Sequence, residues 1–198
     1  MNFNVVVIGV EKSGKSMLIN SLLDESILPT NLTTSFVTKF KFDCSDSILI
    51  KFHASDPIWK SFGDHDELKL ELEHWMSSNE KIKEIVVGLR EFHLPFGTIL
   101  IETPSIIPRE YIDSADTILF CMKTVDRAFI QNIFSQLGLP STKIHLIATQ
   151  SDKYNFPKND QLIQTSAYFY ALLDAWKIGE IKKFSKTEEY LYQISEHF

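Results

Sequence analysis

Eight residues near the start of the chain have the types and the spacing of a loop that binds phosphate groups. The segment Gly9–Ser16 reads Gly-Val-Glu-Lys-Ser-Gly-Lys-Ser, with an apolar run before it and a helix-like stretch after it. Glycines at these positions let the backbone curl, so that successive N–H groups converge on a phosphate at the positive end of the next helix. Lys15 would contact the β- and γ-phosphates of a nucleotide, and the Ser16 hydroxyl would bind Mg²⁺. The spacing therefore predicts a nucleoside triphosphate site.

Two further residues are candidates for completing the metal site. Thr34 lies in a polar segment after the first helix, where a threonine can close over Mg²⁺ and the γ-phosphate. The alternative is that Thr33 and Thr34 are ordinary polar loop residues. Glu102 directly follows the apolar run Thr98–Ile101 and is either a metal ligand or an ordinary carboxylate at a strand end.

Two segments nearer the C-terminus predict that the base is guanine. The apolar run Lys143–Ala148 is followed by Thr149-Gln150-Ser151-Asp152. The Asp152 carboxylate can accept two hydrogen bonds from guanine, from N1–H and from the exocyclic amine, which adenine does not offer. Alternatively, Asp152 is a turn residue before Lys153. A backbone N–H of the segment Thr165-Ser166-Ala167 can reach the guanine oxygen.

These patterns give three sets of predicted site residues. The predicted nucleotide contacts are Gly9, Glu11, Lys12, Ser13, Gly14, Lys15, Ser16, Met17, Thr149, Gln150, Asp152, Ser166 and Ala167. The predicted metal ligands are Ser16, Thr34 and Glu102, and the predicted catalytic residues are Lys12, Lys15 and Thr34. We expect the Lys15 ammonium to face solvent when no nucleotide is bound.

The elements that position these residues form the pattern of an α/β fold with a mostly parallel sheet. Short apolar runs alternate with helix-like segments; the runs are Phe3–Ile8, Ser35–Phe42, Ile48–Phe52, Thr98–Ile101, Thr117–Met122 and Lys143–Ala148. We predict that Ser35–Phe42 and Ile48–Phe52 pair as an antiparallel hairpin at one edge. Residues 64–89 are predicted to form one or two helices, and further helices follow Lys15 and Asp126.

Composition excludes several classes of protein. Of 198 residues, 44% are hydrophobic and 23% are charged, which is typical of a globular domain and excludes a disordered chain. The net charge of −6 argues against nonspecific binding to nucleic acid, which needs a basic face. Cys44 and Cys121 have no ligand partner at metal-binding spacing and are interpreted as reduced core thiols. No apolar run is long enough to span a membrane and no signal peptide is evident, so we expect a cytoplasmic protein, with peripheral membrane contact left open.

The combined pattern resembles the GTPase domain of the dynamin superfamily, most of all the bacterial dynamin-like proteins. The resemblance covers about residues 3–176 and rests on the phosphate loop and on five further segments: Leu18–Leu23, Ile27–Thr30, Leu32–Thr34, Tyr111–Asp116 and Ser166–Leu173. It implies a three-layer P-loop NTPase fold, hydrolysis of GTP to GDP with Mg²⁺, and face-to-face pairing of two such domains across the nucleotide. Some relatives carry an internal arginine finger in the phosphate loop. Lys12 is therefore either such a finger or a solvated lysine.

The chain departs from the family pattern at two motifs. The second switch of the family reads Asp-x-Pro-Gly, and this chain has Glu102-Thr103-Pro104-Ser105; Gln150 replaces the lysine of the base-reading motif. These departures favour a slow GTPase or, alternatively, a non-catalytic nucleotide-binding scaffold; an ATP-using protein is disfavoured by Asp152. We assign residues 1–178 to the GTPase domain and 179–198 to a helix that docks on it or leads to a stalk. Membrane remodelling would then involve a stalk-bearing partner or a longer chain.

Overall fold

The computed structural model describes residues 2–30, 32, 35–78, 80–122, 138, 143–149 and 162–164. Within these ranges the chain forms nine strands and three helices. In chain order they are β1 (Phe3–Gly9), α1 (Lys15–Leu23), β2 (Val37–Phe42), β3 (Asp46–Phe52), β4 (Ile58–Phe62), α2 (His65–Ser77), β5 (Ile82–Leu89), β6 (Thr98–Glu102), α3 (Arg109–Asp113), β7 (Thr117–Met122), β8 (Ile144–Ala148) and β9 (Leu162–Gln164).

All nine strands belong to one mixed sheet in the order β4-β3-β5-β2-β6-β1-β7-β8-β9. The strands from β6 through β1, β7 and β8 to β9 are parallel, as are β2 and β5. The pairs β3–β4, β3–β5 and β2–β6 are antiparallel. The prediction of a mostly parallel sheet with an antiparallel hairpin at one edge is therefore confirmed, although the strands at that edge, β3 and β4, are not the predicted pair.

Helices cover both faces of the sheet and make three layers. Two helices pack on one face through apolar residues at helical spacing, Leu18, Ile19 and Leu23 from α1 and Leu68, Leu72 and Met76 from α2, against a cluster that includes the fully buried Phe40. On the other face, α3 packs through Tyr111 and Ile112 against a second buried cluster. Strands buried on both faces explain the continuous apolar runs of the sequence.

The predicted pairing of residues 35–42 with residues 48–52 is wrong. β5 lies between β2 and β3, parallel to the first and antiparallel to the second. The connection from β2 to β3 crosses the end of β5, where the Asp43 N–H donates to the Leu89 carbonyl at 2.9 Å. Gly88 makes this crossing possible, because a Cβ there would lie 2.7 Å from Asp43 Cβ and 2.5 Å from Ser47 Oγ.

The prediction of helices across residues 64–89 is correct only for the first half. α2 begins after Asp64, whose side chain accepts a hydrogen bond from the Asp66 N–H, and Asp66 and Glu67 place negative charge in its first turn. The second half forms β5, whose sequence Ile-Lys-Glu-Ile-Val-Val is rich in β-branched residues. β4, at the edge of the sheet, is also absent from the predicted elements.

The structure leaves part of the predicted organisation untested. The helix predicted after Asp126 and the C-terminal helix at 179–198 lie outside the described residues, so the division at residue 178 stays a prediction. In the described ranges, no helix combines the length and the apolar character that crossing a membrane requires. Cys121 is buried as expected, whereas Cys44 is exposed on the loop between β2 and β3 and is not a core thiol.

Candidate functional site

The predicted phosphate loop connects the end of β1 to the start of α1. Gly9 has φ 151°, and a Cβ at this position would lie 2.5 Å from the Cys121 carbonyl oxygen and 2.6 Å from Ser13 Oγ. Gly14 has φ 87° and packs against Thr149. Both positions therefore need glycine for conformation and for space. Lys12, with φ 58°, adopts the left-handed conformation without being a glycine, which strains the exposed turn of the loop.

The loop curls around the ammonium group of Lys15. Lys15 Nζ donates to the carbonyl oxygens of Gly9 at 3.0 Å and of Val10 at 3.1 Å, and the residue is only 7% exposed. The expectation that this ammonium faces solvent is wrong, because the carbonyls at the end of β1 hold it within the loop. An ammonium group fixed there can pair with an anion that the loop surrounds.

Ser16 and Glu102 come together at the carboxyl ends of neighbouring parallel strands. β1 pairs with β6 in a register that sets Val7 opposite Glu102, and Ser16 lies in the first turn of α1. Ser16 Oγ donates to Glu102 Oε1 at 2.5 Å, and Glu102 is fully buried. A hydroxyl and a carboxylate so close together offer two hard oxygen ligands of the kind that Mg²⁺ prefers, so these residues fit a magnesium ion.

Thr149, at the end of β8, contacts the backbone of the phosphate loop. Its side-chain hydroxyl donates to the Ser13 carbonyl, its backbone N–H donates to the Met122 carbonyl at 3.3 Å, and its side chain fills the space beside Gly14. Thr149 is 3% exposed. Its contacts in the structure are thus with the backbone of the loop, which it positions, and the predicted contact of Thr149 with the nucleotide stays a prediction.

Two site residues were not predicted as such. Asn20, on α1, holds the segment after this helix: its Oδ1 accepts from the Leu28 N–H at 2.9 Å and its Nδ2 donates to the Leu28 carbonyl at 2.9 Å. Thr103 follows Glu102, and its hydroxyl donates to the Val7 carbonyl at 3.0 Å, which fixes the end of β6 against β1. The sequence did contain a signal for Asn20, because asparagine is unfavourable inside a helix unless its side chain has a hydrogen-bond partner.

The structure brings together part of the predicted site. Gly9, Ser13, Gly14, Lys15, Ser16, Glu102 and Thr149 meet around the loop. Glu11 and Lys12 lie on the exposed turn, and Met17 is half-buried in α1. The predicted residues Thr34, Gln150, Asp152, Ser166 and Ala167 lie outside the described residues. Among the described residues there is no group of three or more His, Cys, Asp and Glu side chains that could hold a metal by itself.

The thiol closest to the loop is unreactive. Cys121 is completely buried at the end of β7, beside Gly9. Burial raises the pKa of its thiol far above the ordinary value, so the group stays protonated at neutral pH. Its role is to pack behind the loop.

Comparisons with known proteins agree with this architecture. No protein-family model matches the chain. An "Uncharacterized protein in xynA 3'region" from Caldicellulosiruptor sp. (strain Rt8B.4) is 25% identical over 201 residues, which is 92% of this chain and 48% of that protein. The chain thus spans about half the length of this curated relative.

Solved structures extend the likeness to the fold. Two structures of an oligomerised bacterial dynamin pair, described as a mechanism for long-range sensing and tethering of membranes, match with TM-scores of 0.63 and 0.59 at 16% and 15% identity. They cover 89% and 87% of this chain, and 34% and 33% of their own chains. The chain has a dynamin-like α/β fold.

Proposed function

We propose that this chain is a guanine-nucleotide-binding domain of dynamin type that hydrolyses GTP to GDP and phosphate with Mg²⁺. The observation that carries the proposal is the loop between β1 and α1, in which Lys15 donates to two loop carbonyls and Ser16 is in contact with Glu102. A fixed cation and two oxygen ligands next to backbone N–H groups match the needs of a bound triphosphate.

Each residue of the loop has a distinct part in the proposed mechanism. Backbone N–H groups at the start of α1 and the Lys15 ammonium bind and orient the β- and γ-phosphates. Ser16 and Glu102 would hold Mg²⁺, and Thr34 is proposed as a further ligand; when bound, the ion neutralises charge on the phosphates. Lys12, on the exposed turn, is proposed to offset negative charge in the transition state. Catalysis of this kind is positioning and electrostatics, without a side-chain general base.

Specificity for guanine is proposed to come from residues after β8. The Asp152 carboxylate would accept hydrogen bonds from guanine, and Ala167 or Ser166 would donate a backbone N–H to its oxygen. Thr149 supports this assignment indirectly, because it connects the end of β8 to the backbone of the phosphate loop.

A second candidate function is a non-catalytic nucleotide-binding module. Ser105 follows Pro104 where the family has glycine, and it is exposed after the buried Glu102 and Thr103. A serine restricts the backbone rotation that would turn an N–H toward the γ-phosphate. A chain that binds GTP without turning it over would serve as an interaction scaffold.

Assembly and membrane contact are further parts of the proposal. The dynamin pair structures are oligomers whose described role is to sense and tether membranes. By analogy, we propose that this domain pairs through its nucleotide face and acts at membranes through a stalk outside the residues of this chain or supplied by a partner.

The deciding experiment is titration of the purified chain with labelled GTP, GDP and ATP, with and without Mg²⁺. We expect saturable binding of GTP and GDP, and about 100-fold weaker binding of GTP to Lys15→Ala, because the loop loses the only charge that it holds inside. Lys81→Ala, which removes an exposed lysine next to β5, is the matched control and should bind as the parent does. Equal binding by the two variants, both folded, would remove the phosphate-loop assignment.

Base recognition is tested by Asp152→Asn. The amide presents a donor where guanine needs an acceptor, so the preference should shift from guanine toward xanthine nucleotides. Equal affinity of the parent protein for GTP and ATP would contradict the proposed role of Asp152.

A further inference from the structure

A second polar cavity lies on the other face of the sheet, away from the phosphate loop. It has a volume of about 340 Å³ and is lined by residues of β1, β2, β3, β5, β6 and the α3 region. Its charged lining residues are Lys39, Lys51, Lys83, Glu84 and Glu110. Three ammonium groups thus face two carboxylates, which leaves the cavity with net positive charge in a chain that is acidic as a whole.

Glu84 holds two of these ammonium groups side by side. The carboxylate is buried, and its Oε2 accepts from the Tyr111 hydroxyl at 2.7 Å and pairs with Lys39 Nζ at 2.5 Å. Its Oε1 pairs with Lys51 Nζ at 2.8 Å. Burial acts to raise the pKa of Glu84, but the hydrogen bonds from both lysines and from Tyr111 outweigh it and keep the pKa below the usual value. Each ammonium has three N–H groups, so both lysines retain donors for a ligand.

The third ammonium group is brought to the cavity by an irregularity in β5. Lys51 pairs with Glu84, but the next residue of β3, Phe52, pairs with Ile82, so Lys83 is an extra residue in the ladder. Such a bulge changes the direction of a side chain, and here Lys83 and Glu84, neighbours in one strand, both line the cavity. Lys83 is exposed and forms no ion pair with any residue of the described ranges. The bulge therefore supplies a cation that no carboxylate of the described residues holds in an ion pair.

We propose that this cavity binds a phosphate group, as inorganic phosphate or as the monoester of a small molecule. Lysines are point-charge donors that suit phosphate oxygens, and the three that line this cavity come from three different strands. Lys83 and Lys51 provide the main contacts, and Lys39 closes the inner end beside the Tyr111 ring, whose centroid lies 4.9 Å from its Nζ. The volume exceeds that of the ion alone and leaves room for the rest of an ester.

The test uses the full chain with Lys15→Ala as the background, so that the phosphate loop does not contribute. Inorganic phosphate and glycerol 3-phosphate are titrated by calorimetry at low ionic strength, and the tighter ligand identifies the source of the phosphate group. In this background Lys83→Met should weaken binding about tenfold, whereas Lys81→Met, two residues earlier and equally exposed, should leave it unchanged. Glu110→Gln should strengthen binding, because it removes a negative charge from the cavity lining and leaves the ion pairs of Glu84 intact.

Two outcomes would overturn the proposal. One is that neither ligand saturates the protein; the other is that Lys83→Met and Lys81→Met weaken binding equally. The sign expected for Glu110→Gln separates a ligand site from a purely structural cluster, because loss of structure would weaken binding. None of these outcomes depends on whether the phosphate loop binds GTP.

Discussion

Ser16 Oγ lies 2.5 Å from Glu102 Oε1, although 86 positions separate the two residues in the chain. Two backbone arrangements produce this contact. The loop after β1 brings Ser16 to the start of α1, and the parallel pairing of β1 with β6 brings Glu102 to the same end of the sheet. The contact joins the phosphate loop to the end of β6 and places the two residues proposed as Mg²⁺ ligands side by side.

The first prediction concerns the dependence of nucleotide binding on magnesium. Glu102→Gln should raise the Mg²⁺ concentration needed for half-maximal GTP binding about tenfold or more, because an amide oxygen is a weaker ligand than a carboxylate. Glu102→Asp, which carries the residue of the family pattern, should stay close to the parent. The measurement is GTP binding across a Mg²⁺ series, with binding in chelator as the baseline. A parent protein indifferent to Mg²⁺ would refute the assignment.

Lys12 offers a way to separate strain from charge. Lys12→Gly and Lys12→Ala both remove the ammonium, but only glycine relaxes the φ of 58°. We expect Lys12→Gly to be about 1 kcal/mol more stable than Lys12→Ala in urea unfolding. If the ammonium acts in turnover, both variants should show the same lowered single-turnover rate. Equal stability of the two variants would show that the turn relaxes without cost.

The close approach at Gly9 predicts a large effect of one methyl group. Gly9→Ala would place Cβ 2.5 Å from the Cys121 carbonyl oxygen, a backbone atom in the middle of the sheet that cannot move aside. We expect a loss of about 2–3 kcal/mol in the free energy of unfolding. Gly63→Ala is the control, since no atom lies within 4 Å of a Cβ there. Similar losses in the two variants would contradict this packing.

Acid stability is expected to depend on Glu84. Its pKa is lowered in the folded protein, so the stabilisation from its ion pairs is complete above the pKa of the unfolded chain and is lost as pH falls through the folded value. Glu84→Gln should cost about 1–2 kcal/mol at pH 7, because two partly exposed lysines lose their carboxylate partner, and should reduce the dependence of stability on pH below about pH 5. Glu80→Gln, at an exposed position just before β5, should keep the parental profile. The check is urea unfolding from pH 3 to pH 7.

Turnover is predicted to be slow for the single domain. Because Ser105 restricts the second switch, the isolated chain should hydrolyse GTP at about 10⁻⁴–10⁻³ s⁻¹, the rate of an unassisted small GTPase. Ser105→Gly should raise this rate, and specific activity should increase with protein concentration if two domains pair. Single-turnover assays across a dilution series measure both effects. A fast rate that is independent of concentration would exclude pairing, and no turnover at any concentration would favour the scaffold.

The sequence predicts the tight loop between β1 and α1 well because its determinants are local. The spacing of Gly9, Gly14 and Lys15 constrains one short turn, and the flanking apolar run and helix are continuous with it. Burial of the Lys15 ammonium could not be predicted, since it depends on where the curled loop points its carbonyls. The position of β5 was also beyond prediction, because strand pairing depends on residues far apart. The one residue that indicates the position of β5 is Gly88, at the crossing between β2 and β3. A glycine in a strand also occurs for several other reasons, so it does not predict the pairing.

The order β3-β5-β2 determines when this half of the protein can form. β2 and β3 follow each other closely in the chain, yet neither has the other as a neighbour, and both pair with a strand that begins at Ile82. During synthesis the strands at residues 37–52 therefore have no shared ladder until α2 and β5 have been made. The pairing of β2 and β3 with β5 requires long-range contacts, which are slow to form. Until these contacts form, the open strand edges are exposed to wrong pairing. The β2–β5 region of the nascent chain therefore carries unpaired strand edges, which favour aggregation, until synthesis has passed Leu89.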